Sequence, residues 1–131
     1  MKVKEFEKGA TAYILDCGYR SKGDVIECEI ESVGRKYVVA KPMSRPYTKK
    51  FVENECYDKA LSEVEEYGYA DLLFKTKKDV EKFQELQNLR RWLSSTLSDH
   101  RRQWALSLEQ LRAIKAIVEG GVEIEKVESH D

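Results

Sequence analysis

The clearest pattern in the chain is an alternation of apolar and acidic residues that opens the segment Val25–Ala40 (VIECEIESVGRKYVVA). From Ile26 to Glu31 every second residue is apolar and the others are glutamates, which is the period of a strand with one buried face. Gly34 suits a turn because it adopts a positive φ at no steric cost. Lys36–Ala40 then returns as a second strand. A hairpin cannot bury its apolar face alone, so the pattern predicts further strands around it.

Three shorter segments favour additional strands. Ala10–Leu15, Lys50–Glu53 and Ala70–Lys75 are apolar or alternating runs separated by turn residues. Closure of such short strands removes exposed sheet edges, so the sequence predicts a small SH3-like β-barrel of about five strands.

Two segments between these strands do not follow the alternating pattern. Lys41–Tyr47 (KPMSRPY) holds both prolines of the protein, which predicts an exposed, stiff loop. Within Glu53–Tyr69 the spacing of Ala60, Leu61 and Val64 fits one helical face, which predicts a short helix there.

From Thr76 onwards the apolar period changes from 2 to 3.6. Thr76 suits the N-cap of a helix, with Asp79 in the place of a capping-box partner. The predicted helix runs to about Ser95, where three consecutive hydroxyl residues favour fraying. Its apolar stripe is formed by Val80, Phe83, Leu86, Leu89 or Arg90, Leu93 and Leu97.

A polar connection, Ser98–Trp104, precedes a second predicted helix. Ser107 and Gln110 form a capping box, and Gly120 with Gly121 ends the helix. The predicted buried stripe of this helix consists of Leu108, Leu111, Ile114 and either Ile117 or Val118.

The predicted architecture is therefore α+β, a barrel followed by two antiparallel α-helices. We assign residues 1–75 to the barrel and residues 76–121 to a helical hairpin packed on it. Residues 122–131 alternate apolar and charged positions, so they form either an acidic tail or an edge strand.

Composition and charge set limits on location and partners. The formal net charge is −1, so no field of the whole protein attracts nucleic acid or membranes. The chain shows no signal-peptide pattern and no apolar run long enough to span a bilayer. Its three cysteines are odd in number and widely spaced, which argues against a disulfide framework. We expect a cytoplasmic protein in the host cell.

The residues that most catalytic mechanisms need are scarce. His100 and His130 are the two histidines, and neither lies in a pattern that supplies a base to a nucleophile or completes a zinc site. No glycine-rich phosphate loop precedes a helix. The sequence therefore predicts a protein that is not an enzyme and has no metal or cofactor.

Two groups of residues are candidates for contact with a partner. Arg45, Tyr47 and Lys49 combine positive charge with an aromatic ring, which suits protein recognition or stacking of bases beside phosphates. Alternatively, the tyrosines only cap the rim of the barrel. The second group lies where the predicted helices meet, in a stretch with six bases and two acids between Arg90 and Lys115. It consists of Arg90, Arg91, Arg101, Arg102 and Trp104. Two arginine pairs suit an acidic surface or a phosphate, although they also occur as solvated side chains beside packed tryptophans.

The order of these parts resembles a family of small β-barrel-domain proteins of phages and prophages in Gram-positive bacteria. The resemblance rests on VGRKY at Val33–Tyr37 and LSLEQLRAIK at Leu106–Lys115, and KPMSRPY departs from it. It assigns no functional residue, but it implies an accessory protein of a mobile element.

These observations predict a phage accessory protein that binds and occludes a partner protein. Its sharpest version is an anti-defence inhibitor, for example of a CRISPR effector. The alternative is a nucleic-acid or nucleotide-binding module that uses the basic Lys41–Lys50 segment and the tyrosines.

Overall fold

A computed structural model of the protein describes residues 1–18, 22–64 and 69–120. After a short 3₁₀ helix, Val3–Glu5, these residues form six strands and three α-helices. They are β1 (Thr11–Leu15), β2 (Val25–Val33), β3 (Tyr37–Pro42), β4 (Lys49–Val52), β5 (Ala60–Glu63), β6 (Leu72–Phe74), α1 (Lys77–Ser98), α2 (His100–Ala105) and α3 (Leu108–Glu119). The chain divides into two compact units, Met1–Gln87 and Asn88–Asp131. We call them the barrel unit and the helical unit.

The six strands form a closed antiparallel barrel. Each strand pairs with the next along the chain, and β6 pairs back with β1, which leaves no open edge. The α+β class and the barrel followed by helices are therefore confirmed. The structure has one more strand than the approximate number expected, because β5 was predicted to be a helix.

The prediction of a short helix through Ala60 and Leu61 is wrong. In β5, Leu61 pairs with Leu73 of β6, while Glu63 pairs with Phe51 of β4. Ala60, Leu61 and Ser62 are all buried, so the segment lacks the alternation that marks a strand with one exposed face. Pairing on both sides decides its conformation.

Alternate residues of the strands fill the interior of the barrel. Each strand places at least one fully buried apolar side chain in this core, and the cluster includes Ile14, Cys28, Ile30, Val38, Phe51, Leu61 and Leu73. Burial raises the pKa of the Cys28 thiol to about 12, so this thiol is protonated at neutral pH.

The loop predicted at Lys41–Tyr47 starts later than expected. Lys41 and Pro42 belong to β3, where Pro42 pairs with Cys28 of β2. Proline has no N–H to donate to the sheet, and beyond Pro42 the Met43 N–H donates to the Glu27 carbonyl at 2.9 Å. Gly34 does not adopt a positive φ; within the described residues the positive-φ glycines are Gly9 and Gly23.

The start of α1 covers one outer side of the barrel. Val80 packs in a second buried cluster with Leu72 and Phe74 of β6. The ring of Phe83 lies 5.4 Å from that of Phe74, and the side-chain amide of Gln84 donates a hydrogen bond to the Gly23 carbonyl, 2.8 Å away. This contact explains why β6 is buried on both of its faces.

The helix caps follow the sequence closely. The Thr76 hydroxyl accepts a hydrogen bond from the Asp79 N–H at 3.1 Å. Ser107 and Gln110 form the predicted reciprocal capping box, with distances of 3.1 and 2.9 Å. However, the predicted polar connection contains the helix α2, whose first turn is capped by Asp99 accepting from the Arg101 N–H.

The predicted apolar stripes are mostly exposed. In α1 the buried residue is Val80, and neither α2 nor α3 has a buried residue within the described chain. The prediction of a buried stripe on the second helix is therefore wrong. A periodic pattern places apolar residues on one face, but only a covering element buries that face.

Some predictions remain without a structural counterpart. Residues 122–131 lie outside the described residues, and the packed helical hairpin stays a prediction. No helix in the described part of the chain has the length and apolar character that crossing a membrane requires.

Candidate binding surfaces

Three charged side chains meet at one end of the barrel, and we call Lys49, Glu63 and Asp71 the mouth triad. Lys49 pairs with Ala40 and lies two residues before Phe51, so its side chain belongs to the inward face of β4. Its Nζ lies 2.7 Å from Asp71 Oδ2 and 3.3 Å from Glu63 Oε2.

Backbone hydrogen bonds hold the two carboxylates of the triad in place. Asp71 Oδ1 accepts from the Cys17 N–H at 3.0 Å, and Glu63 Oε1 accepts from the Asp71 N–H at 3.3 Å. The side chains of Lys49, Glu63 and Asp71 are only 18, 15 and 8% exposed. The triad therefore joins β1, β4 and β5 to the start of β6 through desolvated charges.

The triad changes the titration of the lysine. Burial disfavours the charged form of Lys49, but the hydrogen bond and charge of Asp71, together with those of Glu63, outweigh burial and raise its pKa above the ordinary 10.5. The adjacent thiol of Cys17 is half-buried, and burial followed by the charges of Asp71 and Asp16 raises its pKa to about 11.

The raised pKa of Lys49 predicts a dependence of stability on alkaline pH. Because the pKa is higher in the folded state, the stabilisation is complete below the unfolded-state pKa and is lost as pH rises through the folded-state value. We expect the difference in free energy of unfolding between the wild type and Lys49→Met to shrink from pH 9 to pH 11.5. Urea titrations at several pH values measure it, and a constant difference would contradict the assignment.

The β3–β4 connection carries the predicted pair Arg45 and Tyr47. The structure brings them together, because the Arg45 guanidinium donates to the Tyr47 hydroxyl and lies 5.8 Å from the centre of its ring. Lys49 Nζ lies 6.0 Å from the same ring. Arg45 and Tyr47 are exposed, whereas Lys49 is held by the triad. Lys49 therefore positions the loop, and Arg45 and Tyr47 are the groups available for contact.

A second tyrosine nearby has the same surroundings. Lys36 and Lys50 lie 5.4 and 5.6 Å from the centre of the Tyr37 ring. Tyr37 faces outwards on β3, because the next residue, Val38, points into the core. With Arg45 and Tyr47, these residues form what we call the β3–β4 surface, in which each of two tyrosine rings lies near two cations.

The helical unit exposes a large number of apolar side chains, and with its arginines we call them the helical surface. Nine large apolar residues are exposed: Leu89, Trp92, Leu93, Leu97, Trp104, Leu108, Leu111, Ile117 and Val118. Trp104 is 87% exposed. Arg90, Arg91 and Arg101 are exposed and form no ion pair within the described residues.

Arg102 differs from the other arginines of the helical surface. Its Nε lies 3.6 Å from Asp99 Oδ2, and its Nη1 lies 3.5 Å from the Thr96 hydroxyl. These contacts link α2 to the end of α1. Both partners are partly exposed, so the ion pair contributes little stability.

Sequence reasoning missed the carboxylates of the triad. Glu63 and Asp71 were placed in a helix and a strand end without partners. The parity of the predicted strand at Ala70–Lys75 could have found Asp71, which lies two residues before inward Leu73. Glu63 had no such signal, because β5 lacks a readable alternation. No group of His, Cys, Asp and Glu within the described ranges could hold a metal ion.

The chain was compared with known protein families, curated proteins and solved structures. The family model of the phage ProQ C-terminal-like domain matches residues 1–126, so the chain belongs to this family. The protein is thus a phage-type domain, which confirms this part of the resemblance seen in the sequence. A Gram-positive origin stays a prediction. No curated protein and no solved structure matches the chain.

Proposed function

We propose that this protein is a non-enzymatic, phage-associated accessory protein that binds and occludes a partner protein through the helical surface. The observation that carries the proposal is the exposure of all nine apolar side chains of that surface, in a unit whose helices α2 and α3 bury none of their described residues. Large exposed apolar patches on a soluble protein mark interaction sites.

The size and composition of the helical surface support a protein partner. It exposes nine large apolar side chains on three consecutive helices, and two of them are tryptophans. Trp92 and Trp104 lie beside arginine pairs, and tryptophan and arginine are the residues most enriched at interface hot spots.

Charge specifies the partner further. Over its whole length, Asn88–Asp131, the helical unit has seven bases and seven acids, and its positive charge is concentrated between Arg90 and Lys115, where six bases accompany two acids. A partner with a complementary acidic patch around an apolar centre gains both association rate and specificity. In the finer form of the proposal, the partner is a host-defence protein such as a CRISPR effector, and the phage family supports this setting.

Affinity capture from a host lysate, with and without nuclease, tests the proposal. We expect one protein to be recovered in stoichiometric amount after nuclease and moderate salt, and the purified protein to bind this domain directly. Recovery of nucleic acid alone, lost after nuclease treatment, would contradict it.

A second candidate function, binding of single-stranded nucleic acid, is favoured by the β3–β4 surface. Tyr37 and Tyr47 offer aromatic rings, and Lys36, Arg45 and Lys50 supply cations beside them. Nucleic-acid single strands are bound by this combination of stacking and phosphate contacts.

Charge reversal tests the second candidate without disturbing the mouth triad. We expect Arg45→Glu with Lys50→Glu to weaken binding of a labelled oligo(dT) at least tenfold and to lower the salt dependence of the affinity, because two phosphate contacts are lost. Fluorescence anisotropy at several salt concentrations measures both quantities. The matched control is Lys59→Glu with Lys75→Glu, at two exposed bases elsewhere in the barrel unit. Equal losses in the two double variants would contradict a specific surface.

A further inference from the structure

A cleft of about 640 Å³ opens beside the β2–β3 turn and the N-terminal 3₁₀ helix. This volume lies within the range of small-molecule sites. Val3, which is 2% exposed, and half-buried Val33 provide its apolar lining. Lys2, Lys4 and Arg35 also line it, and Glu53 is its carboxylate.

Glu53 organises one side of this cleft. Its Oε1 accepts a hydrogen bond from the Val3 N–H at 3.0 Å, and its Oε2 lies 3.7 Å from Lys2 Nζ. The N-terminal segment is thereby tied to the residue that follows β4. Glu53 thus uses both carboxylate oxygens in contacts within the protein, and the positive charge of Lys2 balances its negative charge.

Two cations of the cleft are not matched. Lys4 and Arg35 are exposed and have no ion-pair partner within the described residues. With Lys2 and Glu53 cancelling, the lining carries two excess positive charges next to an apolar floor. A guanidinium presents paired donors that match phosphate oxygens, and an ammonium adds a point charge.

We propose that this cleft binds a phosphate monoester, with Lys4 and Arg35 on the phosphate and the rest of the ligand against the half-buried side chain of Val33. A phosphate dianion matches the excess charge of two, and the volume accommodates a nucleotide-sized molecule. The same chemistry occurs in a free nucleotide and in the 5′-phosphate of a nucleic-acid strand. The cleft is lined by residues of the barrel unit, and this proposal does not depend on the function proposed for the helical surface.

Amide NMR titration of the full chain with 5′-AMP tests the site. We expect saturable shifts concentrated at Val33, Gly34 and Arg35, because these residues line the cleft. Lys4→Gln with Arg35→Gln should weaken the affinity at least tenfold through loss of two charge-assisted hydrogen bonds. The control, Lys8→Gln with Lys77→Gln, removes the same charge from two exposed lysines of the barrel unit outside the lining and should change affinity less than twofold.

Glu53→Gln gives an opposite expectation. Glutamine retains an oxygen that accepts from the Val3 N–H but removes the negative charge of the cleft, so affinity for 5′-AMP should increase by about threefold or more. A residue with only a structural role would leave the affinity unchanged or reduce it.

A comparison of probes identifies the source of the phosphate. A free-nucleotide site binds 5′-AMP more tightly than adenosine, which lacks the phosphate, and its affinity does not increase for a longer strand. A strand-end site binds 5′-phosphorylated oligo(dT) more tightly than 5′-AMP, and 5′-hydroxyl oligo(dT) weakly. Either result supports the phosphate site. The proposal is overturned if 5′-AMP and both oligonucleotides leave the cleft amides unshifted, or if their affinities are equal in the cleft variant and the control.

Discussion

Replacing Lys49 with methionine is expected to lower the free energy of unfolding of the barrel unit by about 3 kcal/mol. Methionine keeps most of the aliphatic stem but removes the ammonium that lies 2.7 Å from Asp71 and 3.3 Å from Glu63. Two poorly exposed carboxylates are then left side by side without a cation. Removing one member of a desolvated ion pair lowers the free energy of unfolding by more than the intact pair adds to it, because the remaining charge stays buried without a partner.

The measurement must report on the barrel unit. Both tryptophans lie in the helical unit, so their fluorescence does not follow the barrel directly. Amide NMR signals of the strands or near-ultraviolet circular dichroism of the tyrosines, recorded during urea unfolding, provide the readout.

Two variants act as controls for Lys49→Met. Lys50→Met removes an exposed lysine from the outward face of the same strand and should cost less than about 1 kcal/mol, through loss of its contact with the Tyr37 ring. The triple variant Lys49→Met, Glu63→Gln, Asp71→Asn should recover most of the lost stability, because no unpaired charge remains. Equal effects of Lys49→Met and Lys50→Met would show that the triad does not stabilise the barrel.

The second large effect is expected on partner binding. Trp104→Ala should weaken the affinity for the captured protein partner by about 30-fold or more, which is typical of an interface hot spot. The same change should leave the free energy of unfolding within about 0.5 kcal/mol of the wild type, because Trp104 is 87% exposed. Binding by calorimetry with the purified partner and unfolding by circular dichroism measure the two quantities.

A matched apolar control separates a specific surface from general stickiness. Met43 is an exposed apolar side chain of the barrel unit, and Met43→Ala should leave partner binding unchanged. Arg90→Glu with Arg101→Glu should slow association with an acidic partner, since exposed charges mainly affect the association rate. Wild-type affinity of Trp104→Ala would remove the helical surface from the proposed function.

Local features of the sequence were sufficient for several parts of this protein. The alternation around Cys28 determines which side chains of β2 enter the core, because successive residues of a strand point to opposite faces. Thr76 and Ser107 determine where α1 and α3 begin, because each hydroxyl accepts a hydrogen bond from an N–H three residues later. These interactions span few residues, so they can be seen in the sequence.

Pairing between residues distant in sequence decided the conformation of segments whose local apolar pattern was ambiguous. Ala60–Glu63 is a strand because β4 and β6 lie on both sides of it, although its apolar spacing also suits a helix. Asp99 was available as a cap for α2, but the short charged segment lacked an apolar stripe that would mark it as helical.

The candidate binding surfaces likewise depend partly on local sequence and partly on the tertiary structure. The sequence by itself determined that cations and aromatic rings cluster near Arg45 and near Trp104, because those residues are close along the chain. Only the tertiary structure decided that Lys49 is held by two carboxylates and that Arg45 remains exposed. It also decided that Lys4 and Arg35 share one cleft and that the stripe of α3 is exposed. Burial and charge pairing depend on residues distant in sequence, which strand pairing and tertiary packing bring together.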